Sequence, residues 1–543
     1  MTGRASTGRL ESSSRLATDI FLLAGFCGFL FFFGLSYFGL IGADEPRYAQ
    51  VAREMLARHD WITPTLKGTP WLEKPALYYW QAMVAYRVFG VSDWVARLPS
   101  AADATLMVIA IYIFLKRFRP GSHLDGTLIA ASCAAIIGFA RAASTDMPLA
   151  AMFTIAMLAW YVWYESRSKT YLSLFFFFLG FGALAKGPVA LLLAVLIIAL
   201  FTALKRESKA LLQTLWIPGI AILLAVMLPW YVAVQIKNPE FFRVFILEHN
   251  LARFGTNLYH HPEPFWYYAP VTLLALLPWT VFAVIAIFED IRSRWRKQED
   301  AAPNDSFNLY LIIWLIVPLV FFSISQSKLP GYILPAVPAG ALLVADYIRL
   351  HLLKNESLRL WQTAAHSIVA GSLLFPALMI QYILVQHRIP WSRATVPILL
   401  AALCATCIGL LLKFSGLRML RFATLIPVVL IVGVVLRAGS PWLDAYLSAR
   451  PLANAIAQFQ LKPGNVQVAV FEAPRETEFG LSFYLNRPIP RYELHQIPAG
   501  EHLVVAPHGS QAVVASSVAG RRVSYLGTFA PQELDYFWVG AKK

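Results

Sequence analysis

Charged residues are scarce in this sequence. Asp, Glu, Lys and Arg make up 14% of its 543 residues, against roughly 25% in an ordinary soluble domain, which excludes a soluble globular protein. Disorder is excluded as well, because the chain is 58% hydrophobic and disordered chains are apolar-poor and charge-rich. Cysteine is equally sparse. Cys27, Cys133, Cys404 and Cys407 all fall inside apolar runs, so there is no metal-ligand spacing and no disulfide framework to read. No apolar run carries Asp, Glu, Lys or Arg near its middle. Transporters accept such costly charges at the midplane for their ion and substrate sites, so their absence counts against a transporter.

What is abundant is apolar sequence with 37 Phe, 22 Tyr and 16 Trp. That composition describes a polytopic α-helical membrane protein. The formal charge of +15 then reflects Lys and Arg held in cytoplasmic loops rather than a nucleic-acid partner. The first apolar run, Ile20 to Ala43, is too long for the core of a cleaved signal peptide and is expected to stay as a span. A window of about 20 residues gives about thirteen spans: 20–43, 99–115, 124–143, 146–164, 170–185, 188–204, 213–235, 266–288, 308–324, 330–348, 363–386, 396–412 and 422–438. With a cytoplasmic N-terminus every inside segment is basic, from Arg4, Arg9 and Arg15 to Lys413, Arg418 and Arg421, which supports both count and orientation.

The expected organisation is a transmembrane domain, 1–438, and a small soluble α/β domain, 439–543, on the periplasmic side. The first outside loop, 44–98, contains two helix-like stretches. In one, Tyr48, Val51, Ala52, Met55 and Leu56 recur at helical spacing opposite Arg47, Gln50, Arg53 and Glu54, as suits a helix lying in the interface. The other runs from about Ala76 to Phe89 and is rich in Tyr and Trp. A second outside loop covers 236–265. In the tail, β-prone runs occur at Val466–Phe471, His502–Val505, Arg522–Leu526 and Tyr536–Val539.

Unusual charges gather at the outer ends of the spans: Asp44, Glu45, Glu73, Lys74, Asp146, Lys186 and Lys328, with Glu248, His249, Arg253, His260, His261 and Glu263 in the second loop. Asp44 and Glu45 precede Pro46 at a helix start. A single acid there is an ordinary dipole partner, whereas two beside a membrane exceed that need and point to a general base or an orienting group. Cations such as Lys186, Arg253 and Lys328 suit charge developing on a phosphate leaving group. Glu73 with His249 and His261 forms a candidate divalent-metal set without a zinc spacing. Together these residues describe an enzyme acting at the outer face on a lipid-linked, phosphate-bearing substrate.

The motifs Asp44-Glu45-Pro46-Arg47-Tyr48-Ala49, Ala52-Arg53-Glu54-Met55, Asp60-Trp61, Glu73-Lys74-Pro75, Thr145-Asp146-Met147-Pro148, Ala185-Lys186-Gly187, Leu228-Pro229-Trp230, Glu248-His249, Pro264-Phe265-Trp266-Tyr267-Tyr268 and Ser327-Lys328-Leu329-Pro330-Gly331-Tyr332 resemble the bacterial members of the protein O-mannosyltransferase superfamily. They are most similar to lipid A 4-amino-4-deoxy-L-arabinose transferases, over roughly residues 15–350. The resemblance implies a glycosyltransferase-C fold and an inverting transfer at the periplasmic face of the bacterial inner membrane. The implied donor is an undecaprenyl-phosphate-linked sugar, and the implied acceptor is lipid A or another envelope molecule. By motif position it implies Asp44 as the catalytic aspartate, with Glu45 beside it. It also implies Lys74, Arg253, Lys328 and Tyr332 at the donor phosphate, Glu73 near a metal, and Asp146 and Lys186 as further site residues. A relative of the same fold that moves mannose to protein or glycan acceptors is the nearest alternative. A lipid-linked-sugar flippase and a non-catalytic scaffold are alternatives of other classes.

Overall fold

The computed structural model describes residues 16–121, 123–255, 263–295, 306–354, 359–372, 404–411, 413–414, 420–458, 467–518 and 520–542. The chain begins with α1 (Leu16–Phe32), α2 (Asp44–Ala57), a short hairpin of β1 (Thr65–Leu66) and β2 (Thr69–Pro70), and α3 (Leu77–Phe89). Then follow α4 (Asp93–Phe118), α5 (His123–Ala131), α6 (Ala134–Ala140), α7 (Asp146–Ser166), α8 (Lys169–Lys186), α9 (Val189–Leu204), α10 (Ser208–Thr214) and α11 (Ile217–Lys237). A widely wound segment, Phe242–Ala252, leads into the single turn α12 (Arg253–Gly255). After it come α13 (Tyr268–Ala275), α14 (Thr280–Trp295), α15 (Ser306–Ile324), the tight turns Pro330–Ala336, α16 (Val337–Lys354) and α17 (Leu360–Ser372).

The chain forms two compact units. One comprises Met1–Phe33, Leu72–Tyr78 and Leu98–Gly433; the other comprises Gly34–Trp71, Tyr79–Arg97 and Val434–Lys543.

The first unit is helical. Among the described residues of the whole chain, six helices are long and apolar enough to cross a membrane, and two bent pairs bring the count to eight, against about thirteen expected. The pairs are α5 with α6, bent by 63°, and Phe265–Ala275 with Thr280–Arg294, bent by 115° at a break containing Pro278. The difference has definite sources. α1 and α9 are apolar helices shorter than 18 residues, α8, with a lysine at each end, is not among the eight, and the expected spans 363–386 and 396–412 lie largely outside the described residues. The core is aromatic. Trp160, Tyr161, Phe201 and Tyr310 pack ring to ring between α7, α9 and α15. Their polar tips are satisfied: Tyr310 donates to the Met157 carbonyl at 2.9 Å and Trp160 to Thr214 Oγ1 at 3.1 Å.

The second unit is built on a four-stranded sheet of β3 (Gln467–Val470), β4 (His502–Pro507), β5 (Val523–Phe529) and β6 (Leu534–Val539), in the order β3-β4-β6-β5. β3 and β4 are parallel; β6 runs antiparallel to both β4 and β5. Alternation splits the strands between two small cores. Val468, Val470, Leu503 and Val505 face the helices Arg450–Gln458 and Arg475–Leu485, while Ala469, Val504, Ala506 and Phe537 face Val514 and Val518. Helix Arg475–Leu485 packs on α2. As a result α2 does not present a water-facing polar side. Gln50 is buried, and Arg53 donates to the Phe483 carbonyl at 2.7 Å with its guanidinium 4.3 Å from the Phe483 ring.

Candidate active site

In the second unit, α2 starts with two acids in its first turn. Pro46 lacks an N–H where a helix start leaves donors unpaired, so it costs nothing there. The adjacent acids have different fates. Glu45 is buried; its Oε2 accepts from the Ile41 amide and Arg97 Nη2, each at 2.7 Å, and its Oε1 accepts from Arg97 Nε at 3.2 Å. Arg97 is fully buried and also donates to the carbonyls of Leu35, Phe38 and Gly39. The Asp44 side chain is 54% exposed and pairs with Arg47, whose guanidinium lies 5.1 Å from the Trp71 ring and 5.6 Å from Phe479. Asp44 is thus a held but solvent-facing carboxylate, and Glu45 a buried anchor.

The backbone before Asp44 is gripped by residues distant in sequence. The Gly39 amide donates to Asp444 Oδ1 and the Leu40 amide to Tyr484 Oη, each at 2.7 Å. Arg450 reaches the Ser36 and Tyr37 carbonyls and pairs with Asp93 at 2.8 Å. A Cβ on Gly39 would stand 2.3 Å from Ser448 Oγ and 2.5 Å from Tyr484 Oη, so only glycine fits. Burial, then the charge of Asp93, pushes the Tyr484 phenol well above its ordinary pKa. Farther along, Glu54 caps the β1–β2 hairpin through Thr65, Lys67 and Gly68, and Lys67 pairs with Glu478.

In the first unit, the two-residue link between α7 and α8 makes them antiparallel neighbours. The first residue of one, Asp146, therefore meets the last of the other, Lys186, as an ion pair. Lys186 Nζ lies 4.7 Å from the Tyr332 ring centroid, a cation–π distance. The turn carrying Tyr332 passes so closely that a Cβ on Gly331 would stand 3.0 Å from the Asp146 carboxyl carbon. Beside it Tyr268 Oη accepts from the Leu329 amide at 3.2 Å and donates to the Leu329 carbonyl at 3.1 Å. Lys328 is buried and donates to the carbonyls of Glu263 at 2.9 Å and Ser325 at 2.7 Å. An ammonium has three donors, and among the described residues these two are its hydrogen bonds.

Glu73 and Lys74 are half-buried. Glu73 Oε1 lies 3.7 Å from His249 Nε2, and Arg243 holds Glu248 at 2.6 Å. Arg253 stands on the α12 turn. His260 and His261 lie outside the described residues. Among the described residues no three His, Cys, Asp or Glu side chains converge as a metal site would require; Glu73 and His249 supply two ligands at most. Arg97 and Glu478 went unread in the sequence, and Arg47 was read there only as part of a polar helix face and a motif, not as the partner of Asp44. Arg47, one helical turn after Asp44, carried a usable signal; Arg97 and Glu478 carried none.

The helical unit that carries the Asp146–Lys186 pair and Tyr332 at one end of its spans has its likeness among solved structures of the glycosyltransferase-C fold. The fold match extends nearly the full length of the chain: ArnT from Cupriavidus metallidurans, solved bound to undecaprenyl phosphate, superposes with a TM-score of 0.75 over 96% of this chain and 97% of that one at 22% identity. Its apo form matches at 0.72. In sequence, residues 73–232 match the family described as dolichyl-phosphate-mannose-protein mannosyltransferase. The undecaprenyl phosphate-alpha-4-amino-4-deoxy-L-arabinose arabinosyl transferase of Aeromonas hydrophila is 33% identical over 58% of this chain and 58% of its own length. Its counterpart in Pseudomonas aeruginosa is 32% identical over 64% and 62%. The alignments thus span about three fifths of those relatives. The resemblance to the aminoarabinose transferases carried by the motifs is upheld.

Proposed function

We propose that the protein is an inverting, integral-membrane glycosyltransferase. It moves 4-amino-4-deoxy-L-arabinose or a related sugar from undecaprenyl phosphate to a phosphate of lipid A. The observation that carries this reading is the pairing of two likenesses: to relatives named for that sugar carrier, and to a structure solved with undecaprenyl phosphate. In the reaction the acceptor oxygen attacks the anomeric carbon from the face opposite the phosphate, and the bond to the phosphate oxygen breaks. Undecaprenyl phosphate leaves with both electrons. Asp44, exposed and steadied by Arg47, takes the proton of a hydroxyl acceptor or orients one already anionic. Lys74, Arg253 and Lys328 offset the charge growing on the leaving phosphate, and Tyr332 lies at the same subsite. Asp146 and Lys186 neutralise each other and order the end of α7 and α8. Glu73 and His249, with His261 beyond the described residues, would hold a divalent metal, which would help to neutralise the leaving phosphate.

The proposed setting is the bacterial inner membrane, with the N-terminus cytoplasmic and both the acid-bearing loop and the sheet domain periplasmic. The match of residues 73–232 to protein mannosyltransferases favours a second reading, a mannose donor with a protein or glycan acceptor. Purified protein given undecaprenyl-linked aminoarabinose and lipid A, with products read by mass spectrometry, tests the first. No mass increase of one aminoarabinose on lipid A, alongside transfer from a mannose donor, would replace it with the second.

A further inference from the structure

At the end of the helices remote from Asp146 and Lys186, the turns α7–α8 and α9–α10 surround a cavity of about 620 Å³. The 21 residues of α7 separate the two ends by roughly 30 Å. Trp163, Arg167, Lys169, Arg206, Glu207 and Lys209 line the cavity, four cations against one carboxylate. Glu207 is already engaged by the Tyr164 hydroxyl at 2.9 Å and faces Arg167 at 3.8 Å. Among the described residues no carboxylate pairs with Lys169, Arg206 or Lys209.

Two further observations point to a ligand rather than a merely solvated basic face. Arg167 and Arg206 have φ of 56° and 55°, the left-handed region that favours glycine or asparagine. At both helix ends the sequence keeps a guanidinium where a smaller residue would be less strained, and both line this cavity. Around the rim, the flanking surface is apolar and aromatic. Leu204, Leu212, Leu215 and Ile217 are exposed, and Trp216 carries the Lys169 ammonium 5.0 Å from its ring. Basic pockets beside exposed apolar surface and interfacial tryptophan fit a phosphate headgroup with its acyl chains alongside.

We propose that this cavity binds the headgroup of an anionic phospholipid such as phosphatidylglycerol, at the membrane face opposite the Asp146–Lys186 end. Arg206 and Lys209 meet the phosphate, and the chains lie along the apolar ends of α9 and α11. The assignment is independent of which sugar the protein transfers.

The test uses the whole, delipidated protein in neutral detergent, titrated with phosphatidylglycerol or phosphatidylcholine and read by native mass spectrometry. The wild type is expected to retain phosphatidylglycerol preferentially. Arg206→Gln with Lys209→Gln should weaken retention about 25-fold, at roughly fivefold per cation, while Arg117→Gln with Arg292→Gln should not. Arg206→Gly keeps the experiment decisive if folding is in question: it relieves the backbone, so it should unfold at a higher temperature and still hold less lipid. Equal loss in both double variants, equal retention of phosphatidylcholine, or undiminished retention in Arg206→Gly would overturn the proposal. So would displacement by inorganic phosphate at the affinity of the lipid, which would mark a site for soluble anions.

Discussion

Arg97 grips both carboxylate oxygens of Glu45, 52 residues away in sequence, and spends its remaining donors on the carbonyls of Leu35, Phe38 and Gly39. The neighbouring acid, Asp44, is left facing solvent. Removing one partner of a buried pair strands the other charge, at a cost of about 3–5 kcal/mol. Glu45→Ala and Arg97→Ala should therefore lower the thermal unfolding midpoint in detergent, and Asp44→Asn should leave it in place. Equal midpoints for all three would show that the Glu45–Arg97 pair does not hold this segment.

Asp44→Asn should be severe for activity instead. With a hydroxyl acceptor the loss of a general base is worth about 10²- to 10⁴-fold; with an acceptor phosphate already ionised the loss should be smaller. Single-turnover rates with each acceptor class separate the two. Wild-type rates with both would remove Asp44 from the reaction.

Lys328 should respond in two ways. Its ammonium holds the Glu263 and Ser325 carbonyls, so Lys328→Ala should cost about 1–3 kcal/mol of stability for the orphaned acceptors, in addition to any loss in rate. Lys74→Ala should lower the rate by about 30- to 1000-fold with little change in unfolding. Rates and unfolding midpoints measured on the same preparations make the comparison.

Gly39→Ala places a methyl group against Ser448 and Tyr484. Overpacking of this kind costs about 1–3 kcal/mol. Activity should fall with it, because Asp44 follows five residues later on the displaced strand of chain. An active, normally stable Gly39→Ala protein would mean that this contact yields.

The sheet domain should be acid-sensitive through His502. Burial lowers its pKa below the ordinary 6.5, so the unfolded chain takes up a proton that the folded one resists. Its contribution is complete above that value and is lost as pH falls below it. His508 has the opposite sign: Asp535 raises its pKa, and its contribution fades as pH rises. It is exposed, so the His502 effect should dominate. Unfolding midpoints at a series of pH values should fall on the acid side, and His502→Gln should flatten that fall.

The residues at the ends of the spans were legible because they interrupt long apolar runs, and Asp146, Lys186 and Tyr332 do come together. The four β-prone runs of the tail lie on the four strands. What could not be read was which of two adjacent acids is free. Glu45 and Asp44 differ through their partners, and the one that buries Glu45 is Arg97, a lone arginine with no periodicity to betray it. Nor was it legible that the polar side of α2 is covered, because Phe483 and Phe479 lie more than 400 positions away and act through a guanidinium and a packed helix rather than a motif.

The grip on the backbone before Asp44 also sets an order of events during synthesis. Gly39 and its partner Asp444 are 405 positions apart. At about 5–20 residues per second, the acid-bearing loop is made roughly 20–80 s before the residues that fasten it. A nascent chain therefore carries every span up to that point without a finished acid segment, and a product cut short before Asp444 never acquires one.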